Sequence, residues 1–313
     1  MNTYPKFTNV AWMLVVTLLW AICFPFIVTG LPDAPPLLFA ALRAFLASGI
    51  LFAVYMVKRV REPYLFNLQD TGQLGLIGLS YTAMGFGGMF LGAGHLSPGL
   101  ATVLASTQPL IAAAIAAAWL GETLKTKGIA GLFVGFLGVA LLSWSGFGNN
   151  NAGFLWGIIW VLMGAFGVAI GNILLKKRGG GSIAAPMAVQ LLIGGGILLL
   201  ASAISGEQWD IRWTFRFTGS LLILSALATA AMVFLWFGVL ARAPLNQLNV
   251  FSFLTPALGL LIGYLFFDER LQLVQILGII VIIFGIALMH TSDAVLDPTH
   301  KAGLSSPIKP LGS

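Results

Sequence analysis

Charge is what this chain has least of. Only 8% of its 313 residues are Asp, Glu, Lys or Arg, while 58% are hydrophobic, and the mean hydropathy is +0.97. Soluble domains carry about a quarter charged residues, so a water-facing globular fold is excluded and a polytopic membrane protein is implied. Cysteine is nearly absent: Cys23 stands alone, which rules out an internal disulfide. Three histidines without a Cys/His cluster offer no metal site, and no cofactor is expected. Acidic residues are also missing from the apolar runs. All ten, Asp33, Glu62, Asp70, Glu122, Glu207, Asp210, Asp268, Glu269, Asp293 and Asp297, fall in loops, helix ends or the tail. No mid-span Ser/His pair, Asp pair or zinc motif is present, so an intramembrane enzyme is not expected. The net charge of +6 needs no nucleic acid, because membrane chains gather Lys and Arg in cytoplasmic loops.

What remains is apolar helix. A hydrocarbon core of about 30 Å needs about 20 apolar residues, and ten runs qualify: Val10 to Val28, Pro36 to Val57, Gly72 to Ala93, Pro98 to Trp119, Gly128 to Ser145, Gly153 to Leu175, Ala184 to Ser205, Thr218 to Leu240, Asn246 to Phe267 and Gln272 to His290. They are long and unalternating, which excludes a barrel. The first run exceeds a signal-peptide core and lacks a small-residue cleavage site, so it is read as a retained helix. From about Thr291 the chain turns polar and proline-bearing, the composition of a disordered tail.

The runs repeat. Pro109, Glu122, Leu124, Gly131 and Gly138 recur as Pro256, Glu269, Leu271, Gly278 and Gly285, every pair 147 apart, without a gap. This gives an N-terminal segment 1–9, a first repeat 10–145 of five spans, a loop 146–152, a second five-span repeat 153–290 and a tail 291–313. With the N-terminus inside, one face collects Lys6, Lys58, Arg59, Arg61, Lys125, Lys127, Lys176, Lys177, Arg178, Arg242, Lys301 and Lys309. The other face has only Arg212, Arg216 and Arg270. Both termini are therefore expected in the cytoplasm. Five is odd, so the second repeat enters the membrane inverted, the arrangement from which alternating access arises.

Taken together, the ten spans, the paired Pro, Glu and Gly positions, Trp20 in the first span and Pro36 with Arg43 in the second resemble the drug/metabolite transporter superfamily, and within it the EamA-type permeases. The likeness covers roughly residues 10 to 290. It implies an all-α membrane fold in which eight helices surround a central cavity while the fifth and tenth spans pack outside. It also implies transport of small metabolites, with the amino-acid exporters, the aromatic amino-acid exporter group among them, as the nearest pattern. One departure matters. Small multidrug members of the superfamily carry a glutamate in their first helix, whereas this chain has Thr17, Trp20 and Phe24 on that face. Facilitated diffusion or exchange is therefore expected, with proton-driven efflux of drugs or other metabolites, or a channel or scaffold without carrier activity, as the alternatives.

Seven residues are candidates for substrate contact: Arg43, Trp20, Tyr81, Gln108, Asn249, Gln190 and Trp160. Arg43 is the one charge well inside a span. It either reaches the interface, clamps a broken helix, or pairs with a substrate carboxylate. Its repeat partner, 43 + 147, is the neutral Gln190. Gln108 and Asn249 lie near Pro109 and Pro256, whose missing N–H frees a carbonyl. Ser106, Ser252 and Thr255 are there to satisfy such carbonyls. Trp20, Tyr81, Trp160 and Trp236 lie deeper than the remaining tryptophans, which suit interfacial anchoring. His95 and Arg242 are read as exposed turn residues. Glu122 and Glu269 are expected to form loop ion pairs with Lys125 and Lys127 or with Arg270. A ridge of Gly128, Gly131, Gly135 and Gly138 permits close helix contact, within one chain rather than between two. The expected product is a monomeric inner-membrane permease for a small metabolite, surrounded by lipid and binding no nucleic acid.

Overall fold

The structure, a computed structural model, describes residues 7–58, 68–120, 126–148, 152–178, 184–235 and 254–293. Asn249, Trp236, Glu122, Leu124, Arg242 and Ser252 lie outside them. Every regular element among the described residues is helical. These are α1 (Phe7–Ala21), α2 (Cys23–Gly30), α3 (Pro36–Lys58), α4 (Leu68–Ile77), α5 (Gly85–Ala93), α6 (Pro98–Ala105), α7 (Gln108–Leu120), α8 (Thr126–Gly148), α9 (Ala152–Arg178), α10 (Ala184–Ile204), α11 (Phe215–Leu222), α12 (Leu254–Phe267) and α13 (Leu273–Asp293). Two π-helical stretches, Gly78–Met84 and Ile223–Ala231, continue α4 and α11. Seven segments are long and apolar enough to cross a membrane: Ala11–Asp33, Pro36–Val57, Asp70–Ala93, Pro98–Ile115, Ala152–Leu175, Ala184–Ile204 and Phe215–Leu235. Three shorter apolar helices, Thr126–Leu141, Leu254–Phe267 and Leu273–Leu288, accompany them.

Proline explains where two spans are cut. A prolyl ring clashes with the carbonyl four residues back and offers it no N–H. Accordingly α1 stops at Ala21, four residues before Pro25, and α6 stops at Ala105, four before Pro109. Hydroxyls then bond to nearby carbonyls of the same helices. Thr29 Oγ1 donates to the Pro25 carbonyl at 2.8 Å, Ser106 Oγ to Thr102 at 2.8 Å and Thr107 Oγ1 to Leu104 at 2.6 Å. Ser106 thus bonds to Thr102 rather than to Ala105, whose carbonyl Pro109 frees, and Thr255 Oγ1, expected to satisfy a carbonyl near Pro256, is buried without a hydrogen-bond partner.

Two helix pairs set the packing. Along one, α3 lies against α10, and Ser48 Oγ donates to the Ala188 carbonyl at 2.7 Å. Along the other, α8 lies against α13 through glycine: a methyl on Gly138 would strike Ile282 and the Gly278 carbonyl, and one on Gly285 would strike the Gly135 backbone. The small-residue ridge is consumed inside the chain, where it lets two backbones touch. The outward sides of this pair, Phe133, Trp144, Ile280 and Phe284 among them, are exposed apolar surface of the kind lipid covers.

One end of the bundle is tied by two carboxylates. Pro36 and Pro98 each open a helix, and proline at that position has no N–H to lose. The next two amides are then the orphans to be satisfied. Glu207 accepts from the Leu37 and Leu38 amides at 2.9 and 3.0 Å, and from Ser202 Oγ at 2.6 Å. Glu269 accepts from the Gly99 and Leu100 amides at 3.0 and 3.1 Å and from Ser97 Oγ. So Glu269, expected to pair with Arg270, instead caps a helix in the other half of the chain. Only a glycine at 263 leaves room for its carboxylate. Asp33, buried at the same end, accepts from Thr214 Oγ1 at 2.7 Å and faces Arg212 Nε at 3.4 Å. Beneath this layer Phe39 of α3 packs on Phe90 and Phe217, with ring centroids 4.9 Å apart in both pairs.

Candidate substrate site

Arg43 lies one turn below Phe39 on α3 and does not reach water. It is 3% exposed, so the interface-seeking orientation is ruled out. Its Nε donates to Thr229 Oγ1 at 3.1 Å, and Thr229 in turn donates to the Leu224 carbonyl, five residues back in the π-helical stretch, at 2.8 Å. Because that hydroxyl proton is committed to Leu224, its lone pair is left to face the guanidinium. Nη2 touches Cys23 Sγ at 4.0 Å, while Nη1 has no hydrogen-bond partner. The guanidinium carbon sits 4.2 Å from the centroid of the Phe86 ring and 5.9 Å from that of Phe90. Cation–π attraction of this kind offsets part of the cost of burial.

Gln190, 147 residues on, occupies the matching place on α10. It is fully buried and accepts from Thr82 Oγ1 at 2.6 Å, and its Nε2 makes a weak contact with Met187 Sδ at 3.9 Å. The two threonines are themselves 147 apart (229 − 82), and each stands in a π-helical stretch; these stretches end at Met84 and Ala231, again 147 apart. The molecule therefore holds two equivalent clamps. In each, a polar residue from one half of the chain bonds to a threonine on a widened helix of the other half. Such widened turns expose backbone and recur at functional sites.

The other candidates fall as follows. Tyr81 precedes Thr82 in the first π-helical stretch and is partly buried. Trp20 packs against Val16, Leu19 and Met232, beside the second stretch. Its companions in the first span, Thr17 on α1 and Phe24 on α2, are core: Thr17 Oγ1 bonds back to Met13 and Leu14, and Phe24 belongs to the main apolar cluster. Gln108 opens α7 just after the break in the fourth span and is partly buried. Trp160 is partly buried on α9, its ring 6.4 Å from Trp156. Asn249 is outside the described residues. Structure thus gathers Arg43, Tyr81 and Gln190 around the two clamps and sets Gln108 and Trp160 on other helices. Sequence reading missed Thr82, Thr229, Cys23 and Phe86. The 147-residue offset, applied to threonine as it was to proline and glycine, would have found the first two.

An apolar cleft of about 430 Å³ opens between α7, α8 and α9, lined by Ile111, Ala114, Ile115, Ala118, Phe136, Leu162 and Phe166. It offers no polar group to orient a solute. Among the described residues no group of three or more His, Cys, Asp or Glu could hold a metal ion.

Comparison with known proteins agrees with this geometry. A model of the EamA-like transporter family matches the chain twice, over residues 8–144 and 155–291. Both ends of the two matches differ by 147 (155 − 8 and 291 − 144). The chain is 28% identical over 295 residues to an uncharacterized transporter of Bacillus subtilis, YvbV, covering 94% of this chain and 95% of that one. It is 30% identical over 285 residues to a probable amino-acid metabolite efflux pump of Escherichia coli, covering 87% and 91%. An uncharacterized inner membrane transporter of the same bacterium, YedA, is 28% identical over 283 residues, covering 87% of each. A solved crystal structure superposes with a TM-score of 0.62 at 16% identity over 93% of this chain and all of that one, which speaks for the fold. The chain is a multi-pass membrane protein and belongs to the EamA-like transporter family of the drug/metabolite transporter superfamily.

Proposed function

We propose that this protein is a secondary carrier that exports small metabolites, amino acids first, across the cell inner membrane. Two inverted five-helix repeats, residues 10–145 and 153–290, alternate access to a shared site by facilitated diffusion or exchange, and both termini lie in the cytoplasm. The observation that carries this reading is the pair of clamps, Arg43 with Thr229 and Gln190 with Thr82. They tie the two halves together at equivalent points, where a two-state rearrangement of one half against the other must act. The twofold family match and the relative called a probable amino-acid metabolite efflux pump support it. Trp20, Tyr81, Gln108, Trp160 and Asn249 join Arg43 and Gln190 as the proposed lining of the path, and one chain is the working unit.

Counterflow tests this. Proteoliposomes loaded with unlabelled amino acid should take up labelled amino acid faster than empty ones, and the acceleration should persist when the proton gradient is collapsed. A flux that never saturates and shows no counterflow points to a channel. Flux abolished with the gradient points to proton coupling.

A further inference from the structure

We infer that Arg43 forms an anion site that takes one carboxylate end-on, through Nη1 and Nη2; its use in transport rests on the carrier reading above. A guanidinium has five N–H donors in a rigid fork and stays charged. Here the Nε side is spent on Thr229, Nη2 has only a weak hydrogen bond to a thiol at 4.0 Å, and Nη1, though buried, has no hydrogen-bond partner. The distal edge of the fork, where a carboxylate would make two parallel bonds, is thus the edge left unsatisfied. Among the described residues no Asp or Glu approaches it. Every other buried charge at the tied end has a partner: Asp33 has Arg212 and Thr214, and the half-buried Glu207 and Glu269 have helix amides. Among the described residues, Arg43 alone is buried without a counter-charge.

The surroundings limit the ligand. Phe86 and Phe90 flank the guanidinium and give apolar surface beside it. The equivalent point across the pseudo-axis is Gln190, which is neutral and already bonded. A monocarboxylate with a neutral or zwitterionic remainder is matched there, whereas a dicarboxylate or phosphate dianion leaves a charge unpaired. Thr229 is a positioning residue: it fixes the plane of the guanidinium without touching the ligand.

Cys23, the sole thiol, lies next to Nη2 and serves as a native reporter. In nanodiscs, its modification by anionic 2-sulfonatoethyl methanethiosulfonate should outpace that by the cationic trimethylammonium reagent by about tenfold. Benzoate or phenylalanine should slow the anionic reagent, whereas benzamide should not. Arg43→Gln should abolish both the preference and the protection. Thr229→Val, which keeps the charge, should retain the preference but weaken protection. Equal rates in the native protein, or protection surviving in Arg43→Gln, would overturn the proposal. Should Cys23 react with neither reagent, melting temperature decides: benzoate at ten times its dissociation constant should raise it by about 2 °C in the native protein and not in Arg43→Gln, and equal shifts in both would overturn it. Protection by oleate supplied in the bilayer but not by benzoate would assign the site to a lipid acid and overturn the solute reading. Carrier and anion site fail separately. Anion-selective labelling without counterflow leaves the site and removes the carrier; counterflow of phenylalanine unchanged in Arg43→Gln does the reverse.

Discussion

The two clamps differ by a single charge. A threonine on a widened helix occurs in both halves of the chain, Thr82 in one and Thr229 in the other, whereas the residue bonded to it is arginine in one clamp and glutamine in the other. Features shared by both halves are what the fold needs in order to close on itself. A feature present once is what something asymmetric requires. A buried glutamine is satisfied by one threonine and a weak sulfur contact, while a buried guanidinium with an unsatisfied nitrogen is a continuing cost of a few kcal/mol in a membrane setting. That difference separates a residue that only packs from one poised for a ligand.

The largest effect should come from making the halves alike. Arg43→Gln should lower carboxylate counterflow about 100-fold, the loss that follows removal of one partner from a desolvated charge pair. Moving the charge with Arg43→Gln plus Gln190→Arg should recover part of that flux; if the double variant folds and remains as inactive as the single one, the clamps are not interchangeable. Thr82→Val should cost about 1–3 kcal/mol of stability by orphaning the Gln190 carbonyl oxygen, read as a lower melting temperature with the Cys23 labelling preference intact. Glu269→Ala should cost about 1–2 kcal/mol by uncapping α6, with Glu207→Ala similar at α3. Smallest is Arg212→Ala: its side chain is 67% exposed, so its pairing with the buried Asp33 is screened by solvent and worth about 1 kcal/mol, and Thr214 still bonds to the carboxylate.

Much of the fold was legible because membrane helices advertise themselves by length, and because proline, glutamate and glycine fall in step at 147 residues. The break at Pro109 was legible too, since proline acts on the carbonyl four residues back, whereas Pro25, which cuts the first span in the same way, was not singled out. Arg43 and Gln190 could be paired from the offset, but not their threonines. The widened turns depend on side-chain bonding such as Thr229 to Leu224, which no apolar pattern encodes. Glu269 was misread for a similar reason: Arg270 adjoins it in sequence, yet the orphan amides of a proline-led helix elsewhere in the chain compete for the same oxygens. Long-range caps of this kind leave no local signature. Asn249 stays a proposal from its place near Pro256.

The comparison of halves depends on their being inverted in the bilayer, and equivalent positions at the ends of equivalent spans report that directly. In a Cys23→Ala background, Lys58→Cys and Ser205→Cys, 147 residues apart, can be labelled in intact cells with a membrane-impermeant maleimide. Labelling of position 205 alone, with position 58 reacting only after the membrane is opened, is the result an inverted repeat requires. Equal labelling of both from one side would contradict it.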